Sequence, residues 1–286
     1  MSINHIFPDE TGNFLFTVPP TEDEQARRLI MAHMERQAAA KAKRGTKAKQ
    51  DYADLTHERS LLARGAKLVA GMDEVGRGSL AGPVAVGVCV VDASTHEAPI
   101  GLTDSKEIPA RLRNSYVPLI QSWSTAYAVG SASPQEIDTW GLTAALRLAG
   151  QRALAQVART VGPVDMVLLD GAHDWLTEPA ADLFDLMEDN GVPPVNGYVE
   201  PEVVTRVKAD LACAAVSGGS ILAKVARDRL MVELDKEFPQ YEWASNKGYL
   251  SAAHTAGLQQ YGPSQHHRIS WKLPERIAST KTQDGQ

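Results

Sequence analysis

Apolar runs recur at short intervals between residues 67 and 132 and predict β-strands. The runs are KLVAGMDEV (67–75), VAVGVCVVD (84–92) and STAYAVGSA (124–132), and the glycine-proline stretch GRGSLAGP joins the first two. Because the runs are short and close together along the chain, we expect three antiparallel neighbours in one sheet.

Two later apolar runs predict further strands. VDMVLLDG (164–171) is largely apolar until it reaches Asp170, which is typical of a strand buried on both faces. EVVTRVKAD (202–210) predicts another strand, which ends at Asp210. Strands that alternate with helical segments indicate an α/β domain.

Helical patterns separate and follow these strands. In SPQEID, Ser133 is expected to cap a helix, with Pro134 at its first position and Glu136 completing the capping box. Apolar residues at helical spacing then predict a longer helix over residues 142–158. Two more helices are predicted over residues 217–238, entered through small residues, and 247–262, ending at a glycine.

The composition is that of a soluble globular protein with one large domain: of 286 residues, 43% are hydrophobic and 22% are charged. A net charge of -6 gives no support to a generally basic nucleic-acid binder, although a local basic stripe would be compatible with it. The two cysteines, Cys89 and Cys213, lie in apolar segments and predict buried thiols in a reducing compartment. The chain begins with no signal pattern and has no apolar run of membrane-spanning length, so we expect a cytoplasmic protein without membrane association.

Composition also divides the chain. Residues 1–65 predict an N-terminal extension, partly helical or disordered, before a domain at residues 66–275 and a polar tail at 276–286. Between Arg36 and Gln50 six residues are basic and none is acidic, which defines a basic arm. Such a run is compatible with a solvated helix or arm, and also with an auxiliary contact to a polyanion backbone.

Acidic residues stand at the ends of three predicted strands: Asp73 and Glu74, Asp170, and Asp210. A single acid at such a place is usually a turn residue, but ligands bind at strand ends of open α/β sheets, so three positions indicate a shared site. Oxygen donors without a histidine or cysteine cluster favour Mg²⁺ or Mn²⁺, and two such ions would clamp the attacking and leaving oxygens of a phosphodiester. Because neighbouring strand residues face opposite sides, Asp73 and Glu74 can both reach the ions only through a bulge or a strand end.

A glycine-rich turn follows the first acidic pair directly. Gly76 and Gly78 allow the main chain to approach a ligand closely, and Arg77 between them adds a positive charge. The spacing differs from the dinucleotide-binding fingerprint, and the acids precede the glycines. The combination indicates a site that gathers cations beside a phosphate or a sugar.

From about residue 67 to residue 271, the chain resembles the bacterial ribonuclease HII family. The motifs that carry the resemblance are, in order, DEVGRG (73–78), DSK (104–106), DG (170–171), KAD (208–210), AKVARD (223–228), NKGY (246–249) and HR (267–268). The resemblance implies a ribonuclease H-like α/β fold: a mixed five-stranded sheet, three strands antiparallel and two parallel, flanked by helices, with a helical C-terminal part. It also implies a monomer that hydrolyses the RNA strand of RNA/DNA hybrids and cuts at single ribonucleotides in duplex DNA, with a role in removing misincorporated ribonucleotides and RNA primers.

The resemblance also implies a role for individual residues. Two divalent cations, Mn²⁺ or Mg²⁺, would be bound by the catalytic residues Asp73, Glu74, Asp170 and Asp210. The main chain of Gly76, Arg77 and Gly78 would sense the ribose 2′-hydroxyl, the group that separates RNA from DNA. Tyr249 would stack against the next deoxyribose, and Lys106, together with Arg77 and Lys224, would neutralise phosphates.

One segment departs from the family pattern. Where the family usually has two alanines, this chain has Gly218 and Gly219, and a glycine inside a helix costs up to about 1 kcal/mol. We therefore expect the start of that helix to be weakened, with no effect on the metal ligands.

Several alternatives remain open in the sequence. Asp228 competes with Asp210 as a ligand, although a position four residues after Lys224 in a helix favours an ion pair. His254, His266 and His267 are interpreted as structural or phosphate-adjacent. A silent hybrid-binding module and an enzyme of the ribonuclease HIII type are the competing functions. The complete carboxylate set argues against the first, and the GRG motif with the KAD aspartate argues against the second.

Overall fold

A computed structural model of the protein describes residues 8–14, 26–35, 52–178 and 192–275. Five strands form one sheet in the order β3-β2-β1-β4-β5. Their bounds are β1 Val69–Val75, β2 Val84–Val91, β3 Ala126–Ala132, β4 Met166–Asp170 and β5 Glu202–Arg206. β1 pairs antiparallel with β2 and β2 with β3, whereas β4 is parallel to both β1 and β5. The predicted mixed sheet is confirmed.

Helices cover both faces of this sheet. Their bounds are α1, described over residues 26–35, then α2 Thr56–Ala63, α3 Ala110–Trp123, α4 Pro134–Val161, α5 Ala209–Ala212, α6 Ala214–Glu237, α7 Trp243–Asn246 and α8 Ala252–Tyr261. The side chain of Ser133 accepts from the N–H of Glu136 while the Glu136 carboxylate accepts from the N–H of Ser133, which confirms the predicted capping box. α4 then continues through a kink at Gly141, whose φ is 79°, so two predicted helical segments form one element.

The two faces of the sheet bury separate clusters of apolar side chains. α4 packs over one face, where Val86, Leu146 and Leu169 belong to one cluster. α6 packs over the other, where Cys89, Ile221 and Leu222 belong to a second. All eight residues of β2 are buried, as expected for a central strand covered on both sides. Cys89 and Cys213 are buried free thiols, as predicted.

α6 lies unusually close to the strands because glycines face each other across the contact. A Cβ on Gly87 would lie 1.9 Å from the carbonyl oxygen of Gly219, and a Cβ on Gly71 would lie 2.2 Å from the carbonyl carbon of Ala215. α6 runs without interruption through Gly218 and Gly219. The two glycines that depart from the family pattern therefore permit close packing of α6 on β2.

Two predicted boundaries are wrong. β5 ends at Arg206 instead of Asp210, because Lys208 adopts a left-handed backbone with φ 59° and places Asp210 in the short helix α5. The predicted helix over 247–262 begins only at Ala252, because the Ser251 side chain caps it by accepting from the N–H of His254.

The described parts of the N-terminal extension pack onto the domain. Ile30 of α1 and Leu61 of α2 are buried in the cluster under α6. The carbonyl of Asp54 accepts from the N–H of Ala214, and the Glu58 carboxylate accepts from the N–H of Ala215 at 2.8 Å, at the start of α6. The basic arm and the tail at 276–286 lie outside the described residues, and the boundary at residue 66 stays a prediction. Among the helices described, none combines the length and the apolar character needed to cross a membrane.

Candidate active site

Asp73 lies on β1 where the strand loses its parallel neighbour. Pairing of β1 with β4 ends at Met72, whereas pairing with β2 continues, with Asp73 opposite Gly87. The Asp73 side chain is buried, with 6% of the residue exposed. Burial raises the pKa of Asp73 to about 8; repulsion from Glu74, Asp170 and Asp210 adds to the rise, and a hydrogen bond from Ser220 opposes it.

Asp170 and Asp210 are joined through the main chain. Asp170 is the last residue of β4, and its Oδ1 accepts from the N–H of Ala209 at 2.7 Å and from that of Asp210 at 3.4 Å. Burial raises the pKa of Asp210 to about 6, with further contributions from Asp170 and Asp104, while Lys106 lowers it. The predicted neighbourhood of Asp73, Asp170 and Asp210 is therefore present as a set of interacting carboxylates.

Glu74 is placed differently from the three aspartates. β1 stays regular as far as Val75, which pairs with Ala85, so no bulge turns Glu74 toward the side of Asp73. The Glu74 carboxylate lies 3.4 Å from the Arg77 guanidinium. The main-chain N–H of Glu74 donates to Oδ1 of Asp73 at 2.8 Å. Over the described residues, no three acidic, histidine or cysteine side chains lie together as a group that could hold a metal ion.

The DSK segment adds a fourth aspartate, Asp104, which lies at the start of a turn. Asp104 does organise that turn, since its Oδ1 accepts from the N–H of Lys106 at 2.9 Å. It is also buried beside Asp210, which its charge affects. Burial alone would lower the pKa of Lys106, but Asp104, Asp73, Asp210 and Asp170 raise it. Lys106 thus lies in the field of the whole acidic set while its side chain remains 77% exposed.

The GRG turn leaves part of its backbone accessible. Gly76 is buried with φ 84°, and a Cβ there would lie 2.1 Å from Nε of Arg227. Gly78 is exposed and has no atom within 4 Å of a Cβ position. Two arginines that the sequence analysis did not single out for this turn, Arg227 and Arg268, are fully buried beneath it. They stand in the motifs AKVARD and HR, but no local pattern places them at this turn, because their partners lie far away along the chain.

Tyr249 and Lys224 each have a charged partner on α6. The half-buried Tyr249 ring has the guanidinium carbon of Arg227 5.5 Å from its centroid. Lys224 bonds Asp228 at 2.8 Å, which confirms the predicted ion pair for Asp228, and Arg113 lies 3.8 Å from the same carboxylate.

Two of the three histidines in the C-terminal part, His254 and His267, form a structural pair. His254 and His267 meet through their Nε2 atoms at 3.0 Å, and both rings are buried. Nδ1 of His254 lies 2.9 Å from the carbonyl of Tyr249, so it carries the proton and Nε2 of His254 accepts from His267. Burial lowers the pKa of both rings.

A mixed sheet of this order, with interacting aspartates on β1, at the end of β4 and in α5, is that of the ribonuclease H-like class of hydrolases. The family model described as "Ribonuclease HII" matches residues 70–274, so the chain belongs to the ribonuclease HII family. The protein is therefore a ribonuclease H, acting on the RNA of RNA/DNA hybrids.

Named relatives and solved structures agree with this assignment. The chain is 46% identical over 226 residues to a ribonuclease HII of Streptomyces griseus, covering 77% of this chain and 85% of that protein. It is 44% identical over 223 residues to that of Streptomyces coelicolor, covering 77% and 84%. The crystal structure of ribonuclease H2 from Pyrococcus horikoshii has a TM-score of 0.53 at 25% identity, covering 72% of this chain and 94% of that one. A Bst-RNase HIII structure in complex with Mn²⁺ has a TM-score of 0.52 at 19% identity, covering 74% and 70%, and shares the fold.

Proposed function

We propose that the protein is a metal-dependent endoribonuclease that cuts the RNA strand of hybrids and also cuts 5′ of single ribonucleotides embedded in duplex DNA. The observation that carries the proposal is the burial of Asp73 beside Asp170 and Asp210, each from a different element of the sheet region. A buried set of like charges is unfavourable for folding and is retained where a bound cation compensates it.

The chemistry of the donors, rather than the present arrangement of their side chains, suits hard divalent cations. Asp73, Asp170 and Asp210 supply carboxylate oxygens, the ligands that Mg²⁺ and Mn²⁺ prefer. A bound cation would offset the burial and the repulsion that raise the pKa values of Asp73 and Asp210. Glu74 lies on the opposite side of β1 from Asp73, so it would complete the set of four only if the end of β1 rearranged and its side chain left Arg77. Two bound cations would supply an activated water and charge stabilisation at the leaving oxygen.

The remaining residues would bind and orient the substrate. The exposed backbone at Gly78, with Gly76 and Arg77, would contact the ribose 2′-hydroxyl, and the Tyr249 ring would stack on the following deoxyribose. Lys106, whose side chain is mostly exposed within the field of the aspartates, would contact a phosphate beside the cut. Arg77 and Lys224 would contribute further positive charge along the duplex. The products would carry a 5′-phosphate on the ribonucleotide and a 3′-hydroxyl upstream, as removal of misincorporated ribonucleotides and RNA primers requires.

Cleavage of a labelled DNA duplex with one embedded ribonucleotide, with and without Mg²⁺, tests the proposal. We expect one cut on the 5′ side of the ribonucleotide, dependent on the cation and absent in Asp73→Asn. The same variant should still retard the duplex in a gel. Cleavage that persists in EDTA, or that survives Asp73→Asn, would contradict the proposal.

A further inference from the structure

Arg227 is a fully buried arginine in the middle of α6, and all its hydrogen-bond acceptors are neutral. Its Nε donates to the carbonyl of Pro83 at 2.8 Å, and one terminal nitrogen donates to the carbonyl of Ala81 at 2.9 Å and to Oγ of Ser79 at 2.6 Å. These acceptors belong to residues 79–83, which continue from the GRG turn. The Arg227 guanidinium therefore fixes the segment that follows the GRG turn, residues 79–83.

The other terminal nitrogen of Arg227 reaches a second loop. It donates to the carbonyl of Lys247 at 2.9 Å, two residues before Tyr249. The guanidinium carbon also lies 5.5 Å from the Tyr249 ring centroid, a cation–π distance. One side chain thus bonds the loop that follows GRG and the loop that carries Tyr249, although these segments are far apart in sequence.

Arg268 and Ser79 also form hydrogen bonds that fix the GRG turn. Arg268 donates to the carbonyls of Gly76 at 2.6 Å and Arg77 at 2.9 Å. The Ser79 hydroxyl accepts from both arginines and donates to the carbonyl of Gly76 at 2.9 Å. Arg268 therefore fixes the GRG residues themselves, whereas Arg227 fixes the distance between their loop and Tyr249.

We propose that Arg227 is a positioning residue that sets the spacing between the GRG turn and Tyr249, and with it the preference for a ribose followed by a deoxyribose. The inference rests on the proposed function, because it concerns the two elements proposed to contact those sugars. A planar guanidinium can bond both loops and lie against a ring at once, whereas a lysine ammonium cannot match that geometry.

A purely structural role and a positioning role predict different kinetics. If Arg227 only stabilised the fold, a milder substitution would lower activity on every substrate by a common factor. If it sets the spacing, the loss should be larger for a duplex with one ribonucleotide, where the junction lies at a fixed place. A uniform RNA/DNA hybrid without a junction depends less on the position of Tyr249.

The test compares kcat/KM of Arg227→Lys and the wild type on these two substrates. We expect the single-ribonucleotide substrate to lose about tenfold more than the hybrid, a difference of about 1.4 kcal/mol in transition-state binding. In a Tyr249→Ala background the added effect of Arg227→Lys on this ratio should largely disappear. Arg229→Lys, an exposed arginine two residues further along α6, is the matched control and should leave the ratio unchanged.

Equal loss on both substrates would overturn the inference, as would an undiminished effect in the Tyr249→Ala background. If Arg227→Lys does not fold, Ser79→Ala removes one acceptor of Arg227 and leaves its carbonyl acceptors in place. It should shift the same ratio in the same direction, and no shift would overturn the inference. A wild-type protein that cuts neither substrate would instead overturn the proposed function.

Discussion

Ala209 donates its main-chain N–H to Oδ1 of Asp170 at 2.7 Å, and this bond ties the short helix α5 to the end of β4. The bond brings Asp210, one residue further along, to the same end of the sheet. Asp170 is also one of the proposed metal ligands. It therefore has a structural role, as the acceptor of this bond, and a chemical role. Substitutions that differ in charge and in hydrogen-bonding capacity separate the two roles.

Asp170→Asn and Asp170→Ala should both abolish cleavage but should differ in stability. The amide oxygen of asparagine can still accept from Ala209, and loss of the charge relieves Asp73 and Asp210, so the Tm should not fall. Alanine leaves the N–H of Ala209 without its acceptor, which costs about 1 kcal/mol or more. Activity should fall about a hundredfold or more in both variants. Cleavage assays and thermal melts check both expectations. If Asp170→Asn were less stable than Asp170→Ala, the assigned bond from the N–H of Ala209 to Asp170 would be contradicted.

Added Mg²⁺ or Mn²⁺ should raise the Tm of the wild type. A cation bound at the aspartates relieves their repulsion, and a ligand at a hundred times its Kd stabilises the native state by about 2.7 kcal/mol. Thermal melts at constant ionic strength, with NaCl replacing the divalent salt, separate this binding from general screening. The double variant Asp73→Asn with Asp210→Asn should lose the increase. An unchanged wild-type melting curve in millimolar metal would count against a shared pocket.

Much of this architecture is readable from local sequence. Valine-rich runs predict strands wherever they occur, and the capping box at Ser133 needs only its own residues. The acids at strand ends were recognisable for the same reason. Asp210 was expected at the end of a strand but lies in the short helix α5, because the left-handed backbone at Lys208 is not signalled by a glycine or an asparagine.

Features that depend on distant partners were not readable. Arg227 bonds the carbonyl of Pro83, 144 residues away, and the AKVARD motif around it does not indicate this partner. Asp104 is a turn residue by its local pattern, and only the fold brings it beside Asp210. Local patterns therefore indicate the acidic residues, whereas the residues that surround and position them can be identified only from the structure.

Gly87→Ala should destabilise the protein strongly. A Cβ at this position would lie 1.9 Å from the carbonyl oxygen of Gly219, so α6 must move away from β2. Because backbone cannot yield as a flexible side chain does, we expect a loss of about 3 kcal/mol or more in unfolding free energy. Gly78→Ala is the control, since no atom lies within 4 Å of its Cβ position, and its stability should change by less than about 0.5 kcal/mol. Urea unfolding of both variants measures the difference, and similar stabilities would contradict the close packing.

The stability of the Glu58→Gln variant relative to the wild type should depend on pH. Glu58 is fully buried, and burial raises its pKa from 4.5 to about 7. Between these values the unfolded state has lost the proton that the native state keeps, so wild-type stability falls as pH rises and levels off above about 7. Glutamine keeps an acceptor for the N–H of Ala215 and cannot ionise.

Relative to the wild type, Glu58→Gln should therefore gain about 2.5 kcal/mol in unfolding free energy between pH 5 and pH 8. Urea unfolding at a series of pH values measures this gain, and other titrating groups cancel in the difference. Glu97→Gln serves as the control, because the Glu97 side chain is 75% exposed and pairs with Arg59 at the surface, where charge is well solvated. The difference in unfolding free energy between Glu97→Gln and the wild type should stay nearly constant with pH. A flat profile for Glu58→Gln as well would mean that the buried carboxylate ionises without penalty at the start of α6.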